Sequence, residues 1–297
     1  MPRSVGRVRE SQIASGRLTR PTKEAIAVSV SGINACPYCI DAHTGLLQGA
    51  DQQDIATSIR NGQPEAITDD PTRELVRWAL ATRSPDDPIL ANPPFSDEEA
   101  PEAIGTALVY HYVNRMVHVF LGDDLVPLPA GFQSIARRIY GATFAKRMVR
   151  RSGEPGTSLA LLPDAPLPSD LRWAESNPII AGAWARFAAV VDEAGQRVLP
   201  EPVRALLLTQ LAQWKGEDPG MSAAWVEDAV ASLDETHRPA ARFVLLVAFA
   251  SYRVDDSTVE AFRAATPGDS DLVEAAAWAA FQAARRIGSW LQTPNAD

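Results

Sequence analysis

Apolar residues recur every three or four positions along most of this chain, the spacing that lays one stripe down the side of an α-helix. Leu75, Val76, Ala79 and Leu80 make one stripe. Leu108, Tyr112, Met116 and Val119, with Arg115 among them, make a second, and Val244, Val247, Ala248 and Ser251 a third. Alternating strand patterns are scarce, so the expected fold class is all-α. Local signals place the elements. Thr19 is a suitable N-cap with Pro21 in the first turn, and Gly32–Asn34 is a stop signal. Pro37, just after Cys36, opens a second helix running to about Gln48–Gly49. Asp51 is expected to cap a short third helix ending at Asn61–Gly62. Longer helices are expected over 71–83 and 97–121, parted by the proline-rich SPDDPILANPPF.

Residues 122–178 read differently. Leu125–Ala130 is a proline-containing loop, Gln133–Arg151 a basic helix, and SGEPGTSLALLPDAPLPSD a linker. A new unit is expected to start near Asn177–Pro178. From there the pattern repeats the first half. LPEPVRALLLTQLAQWKGEDPG aligns with LTRPTKEAIAVSVSGINACPYCIDAH, which sets Glu201 opposite Glu24. FASYRVDD aligns with LATRSPDD, and AAFQAARRIGSW with LVYHYVNRMVHV, which sets Arg286 opposite Arg115. The expected organisation is 1–122, a linker over 123–177, and a second copy over 178–297. That copy has lost its chemistry: Gln213, Gly216 and Gly220 stand opposite Cys36, Cys39 and His43.

Composition narrows the function. With 28 basic against 37 acidic residues the net charge is −9, which argues against nucleic acid or an anionic membrane as partner. No apolar run approaches the roughly 20 residues of a membrane span. MPRSVGRVRESQIASG has basic residues but no apolar stretch, so it is not a secretory signal, and a cytoplasmic location is expected. No GxGxxG, P-loop or paired zinc motif is present, so no nucleotide or metal cofactor is expected. The 46% hydrophobic content suits a globular protein with a sizeable core.

The candidate chemistry is confined to EAIAVSVSGINACPYCIDAH, residues 24–43. Both cysteines of the chain are here, Cys36 and Cys39, with His43 four positions on and Glu24 twelve positions before Cys36. On a continuous helix the two thiols and His43 fall within about 60° of one another. Thiols three residues apart can close a disulfide. A reversible disulfide beside proton-carrying groups suits a thiol-dependent oxidoreductase. The helix N-terminus favours Cys36 as the thiolate, whereas the histidine spacing favours Cys39. Glu24 must be returned to the site by antiparallel packing of the preceding helix.

Other readings compete. Zinc needs a fourth ligand beyond Cys36, Cys39 and His43, and only Glu24 offers one. A c-type haem needs histidine where Ile40 stands. A thioredoxin-like site would follow a strand, whereas the preceding segment reads as helix. Two buried structural cysteines would sit uneasily beside Asp41 and His43.

The spacing Glu24-x11-Cys36-x2-Cys39-x3-His43 resembles the AhpD-like alkylhydroperoxidases of the carboxymuconolactone decarboxylase family, fully over about residues 18–121 and in degenerate form over 178–292. The resemblance implies an all-helical fold, AhpD-like and here duplicated. It implies that Cys39 attacks a hydroperoxide and forms a sulfenic acid, that Cys36 resolves it as a disulfide, and that His43 and Glu24 relay the proton. It also implies an external dithiol reductant, which can be a lipoyl-bearing protein, and association of identical subunits, whose place two copies in one chain could take. Lactone decarboxylases of the family lack the cysteine pair. A redox sensor or scaffold with a reversible disulfide, and a decarboxylase-like enzyme, are the competing functions.

A few residues outside the motif stand out. His111 and His118 share a helical face near Tyr110, Tyr112 and Arg115, where they would either line the pocket over the dithiol or make a polar helix contact. His237 is expected near the surface, and Trp214, Trp225, Trp278 and Trp290 in the core. The run Arg137, Arg138, Lys146, Arg147, Arg150 and Arg151 reads as a solvated face that could also dock an acidic reductant.

Overall fold

The computed structural model describes residues 9–121, 145, 147, 153–220, 222 and 224–291. Among them the secondary structure is helical, and the only extended pairing is a single bridge between Ala14 and Gly153. The first half holds α1 (Arg20–Ile33), α2 (Pro37–Gly49), α3 (Gln53–Arg60), α4 (Asp70–Ala81), the short α5 (Pro88–Ala91) and α6 (Ala100–Phe120). The second half holds α7 (Pro178–Val198), α8 (Glu201–Gln213), α9 (Ala224–Val230), α10 (Arg238–Ala250), α11 (Asp256–Ala265) and α12 (Asp269–Gly288). The Leu125–Ala130 loop and the basic Gln133–Arg151 stretch lie outside the described residues, apart from Ala145 and an exposed Arg147.

Local chemistry sets these boundaries. The Thr19 hydroxyl accepts from the Thr22 amide and starts α1, Asp69 does the same for α4 through Thr72, and Asn177 caps α7 through Ile179 and Ile180. Two boundaries differ from expectation. Asp51 does not cap α3. It takes the left-handed conformation, with φ of 61°, to end α2, and Gln52 precedes the helix instead. Aspartate tolerates this conformation better than most residues. The expected 97–121 helix begins at Ala100, because Ser96 and Glu99 bond reciprocally through side chain and amide ahead of it, a capping box.

One interior serves both halves. The long helices α6 and α12 pack along each other at its centre, and Gly288 lets α12 approach Leu108 closely. Tyr112 of α6 meets Phe187 of α7 and Phe281 of α12 edge-on, with ring centroids 5.7 and 6.5 Å away. Trp184 stacks on Phe281. Trp214 and Trp278 are buried in this core, with Trp225 and Trp290 packed against it. Fully burying one such side chain contributes about 1.5–3 kcal/mol, so this seam is a main source of stability.

The halves differ where the dithiol sits. In the first, α1 is followed by α2; in the second, α8 gives way to an irregular segment over 214–220. Gly216 lies in that segment with φ of 90°. A side chain there would strike the backbone carbonyl of Arg83, so this position admits only glycine.

Candidate functional site

The site is built where α1, α2 and α6 meet. Pro37 opens α2 as its spacing predicts, and Cys36 is the N-cap, with an extended backbone (φ −105°, ψ 91°). Its neighbour Ala35 is left-handed, with φ of 52°, a conformation that costs a residue bearing a Cβ about 1 kcal/mol or more. This tight reversal between α1 and α2 brings the Cys36 sulfur to 2.6 Å from that of Cys39, in the first turn of α2. Both thiols are buried against Val117, with Tyr38 and Val113 partly covering them.

One turn further along α2, His43 meets Glu24 of the antiparallel α1. The His43 Nδ1–H donates to Glu24 Oε2 at 2.6 Å, and the Tyr110 ring stands edge-on to the imidazole at 4.6 Å between centroids. Glu24 is completely buried. Its second oxygen accepts from Arg20 Nε at 2.5 Å and from Gln12 Nε2 at 3.0 Å. Burial opposes ionisation of Glu24, but His43 and Arg20 together outweigh it and hold the carboxyl below its usual range.

The thiols are electrostatically unequal. The Cys39 S–H is the main influence lowering Cys36. Burial works against it, while His118 and the N-terminal backbone of α2 assist, and Cys36 is drawn down to about 5. Cys39, which gives its proton to that hydrogen bond and is itself buried, is pushed up, with Asn114 only partly compensating. Of the two thiols, Cys36 is thus the one whose environment favours the thiolate.

A buried polar network runs inward from the dithiol. Asn114 Nδ2 donates to Ser31 Oγ at 3.1 Å, and its Oδ1 accepts from Asn34 Nδ2 at 2.9 Å. Asn34 also reaches His111 Nδ1 at 3.1 Å, and His111 Nε2 lies 2.9 Å from Thr82 Oγ1. Thr82 already donates to the Ala79 carbonyl, so His111 carries its proton on Nε2 and accepts at Nδ1. Burial first, then Arg115 and Arg83, hold His111 well below the ordinary histidine range. It stays neutral and structural.

The chain matches the description of the Carboxymuconolactone decarboxylase family over residues 1–81. Over 276 residues, 93% of this chain and 78% of the relative, it is 38% identical to Alkyl hydroperoxide reductase Rv2159c of Mycobacterium tuberculosis (strain ATCC 25618 / H37Rv). This chain belongs to the carboxymuconolactone decarboxylase family, as an AhpD-like member. No solved structure matches it.

In this AhpD-like protein the four motif residues form two contacting pairs, Cys36 with Cys39 and Glu24 with His43, linked along one turn of α2. His118 and His111, read together from the sequence, part company: His118 joins the Cys36 turn and His111 the buried network. Sequence reasoning missed Gln12, Arg20 and Asn114. Arg20 had a visible signal, since it lies four residues before Glu24 on one helix face. Asn114 had one too, four residues from both Tyr110 and His118. Gln12 had none, because a short helical turn at Arg9–Ile13 brings it in. No helix among the described residues is long and apolar enough to cross a membrane.

Proposed function

We propose that this protein reduces hydroperoxides through a Cys36–Cys39 dithiol cycle. The observation that carries the reading is the pair of sulfurs 2.6 Å apart with one depressed thiol. A further support is the name of the Mycobacterium tuberculosis relative, an alkyl hydroperoxide reductase. A thiolate displaces alkoxide from the O–O bond, taking one oxygen as a sulfenic acid, and the alkoxide leaves as alcohol after protonation. The second thiol condenses with the sulfenic acid, releasing water and forming the disulfide. An external dithiol, of the lipoyl type that the family resemblance implies, returns both sulfurs to thiols.

Charge rests on Cys36, and a proton hop within the pair transfers it to Cys39, which attacks. His43, held by Glu24 through Nδ1, supplies the proton to the leaving alkoxide. Residues 178–297 are read as a degenerate copy of 1–122 joined by 123–177. The match of α4, α6 and Arg115 with α10, α12 and Arg286 supports this. The second copy takes the place of an identical partner subunit, and a cytoplasmic enzyme is the setting proposed.

The lowered Cys36 favours a second reading of the roles, in which Cys36 attacks directly. Trapping sulfenic acid with dimedone after one equivalent of peroxide decides between them. The first reading expects the adduct in Cys36→Ser, on Cys39; the second expects it in Cys39→Ser. An absence of adduct in both variants, with no loss of thiols in the parent protein, would overturn the peroxidase assignment.

A further inference from the structure

The redox centre draws one residue from the half that lacks cysteines. His118, on the last turn of α6, uses both ring nitrogens. Nε2 lies 3.0 Å from the carbonyl oxygen of Ala35. A carbonyl only accepts, so Nε2 carries a proton and donates it. Nδ1 lies 2.8 Å from the hydroxyl of Ser251, a buried residue at the end of α10 in the second half. A hydroxyl donates to a neutral ring and accepts from an imidazolium, so the ring keeps both anchors in either state. Ala35 is the left-handed residue immediately before Cys36. The bond from His118 thus holds the strained turn that sets the first sulfur at the helix N-terminus.

We propose that His118 and Ser251 are positioning residues of the dithiol. Ser251 fixes the ring, the ring fixes the Ala35–Cys36 turn, and the second half thereby completes the redox site within one chain. The inference rests on the redox reading above for its functional meaning, but its geometry does not. The seam is anchored one turn away by Arg115, whose Nε donates to the Ala248 carbonyl at 2.9 Å. The matching contact joins the other ends: Trp290, after α12, donates to the Thr82 carbonyl, after α4, at 2.9 Å. Of these contacts across the seam, the His118–Ser251 bond is the one whose histidine also reaches the turn before Cys36. The groups around His118 are Cys36 from the α1–α2 turn, Arg115 from α6, and Tyr252, whose ring stands 6.4 Å from the imidazole and is bonded to Asp218 and covered by Arg253. The influence of His118 on the Cys36 thiol agrees with this placement.

The test is the pH profile of Cys36 alkylation in the fully reduced full-length chain, read by peptide mapping. His118→Gln is expected to raise the midpoint by about one pH unit, slowing alkylation near pH 5 by several-fold. Ser251→Ala is expected to move it the same way by a smaller step, with about threefold slower alkylation, and Ser251→Thr, which keeps the hydroxyl, is expected to restore it. If His118→Gln does not fold, the two Ser251 variants decide. Profiles of folded Ser251→Ala and parent protein that superimpose would overturn the proposal, as would a Ser251→Thr profile that follows alanine. Peroxide consumption by the parent protein is measured separately. Its absence beside shifted midpoints would refute the peroxidase reading and leave the positioning role standing.

Discussion

The Glu24 carboxylate and the His43 imidazole meet at 2.6 Å, with no part of the Glu24 side chain open to solvent. Glu24→Gln keeps the shape but removes the charge that orients His43 and pairs with Arg20. The expected outcome is a fall of about 10²-fold in peroxide turnover and a loss of about 2 kcal/mol in urea-unfolding stability. The two measurements separate a proton-relay role from a packing role: a stability loss at undiminished turnover would remove Glu24 from the relay.

The reduced and disulfide forms should differ in how their stability depends on pH. An unfolded cysteine titrates near 8.5, whereas Cys36 is drawn down to about 5. Between those values the unfolded state holds a proton that the folded state has released, so stability rises with pH. Above about 8.5 the raised Cys39 reverses the sign, because the folded state now holds the extra proton. Reduced protein is therefore expected to be most stable near pH 8.5, and the oxidised form lacks both slopes. Urea midpoints across pH for the two forms check this.

His111 makes a separate contribution in acid. Its folded value lies well below the ordinary one, so below about pH 6.5 the unfolded state gains a proton that the native site refuses. Stability should fall as pH drops from there, by up to about 1.4 kcal/mol per pH unit. Glu24 adds a second loss, which begins below about pH 4.3 and is complete as pH falls through its lowered native value. His111→Gln is expected to flatten the first slope and leave the second, which thermal melts from neutral to acid pH would reveal.

Lys23 and Glu102 form a buried pair at 2.7 Å, with side chains 2% and 4% exposed. Glu102 also accepts from the amides of Arg17 and Leu18, which ties the segment before α1 to α6. Glu102→Gln should cost about 3 kcal/mol, since it strands the Lys23 ammonium away from water. The double change Lys23→Met with Glu102→Gln should recover much of that loss. A double-mutant cycle in urea would measure the coupling, and additive losses would refute it.

Much of this site could be read from the chain because its parts are local. Pro37 and the Cys-x2-Cys spacing place both sulfurs on one turn, and the stop at Gly32–Asn34 sends α2 back along α1, which delivers Glu24 to His43. What escaped was set by tertiary structure. Ala35, just before Cys36, adopts a left-handed turn that alanine seldom takes. Asp51 ends a helix instead of starting one because the chain must reverse within two residues. Ser251 reaches His118 across a separation of 133 residues, a relationship no local spacing encodes.

The aromatic seam of Tyr112, Phe187, Trp184 and Phe281 has a consequence for anyone who would dissect this protein. Neither portion owns a closed interior. Expressed alone, the cysteine-bearing fragment would turn an oily flank to water and lose the serine that steadies its histidine. The two pieces should regain solubility only when produced together, so each half is an obligate companion of the other.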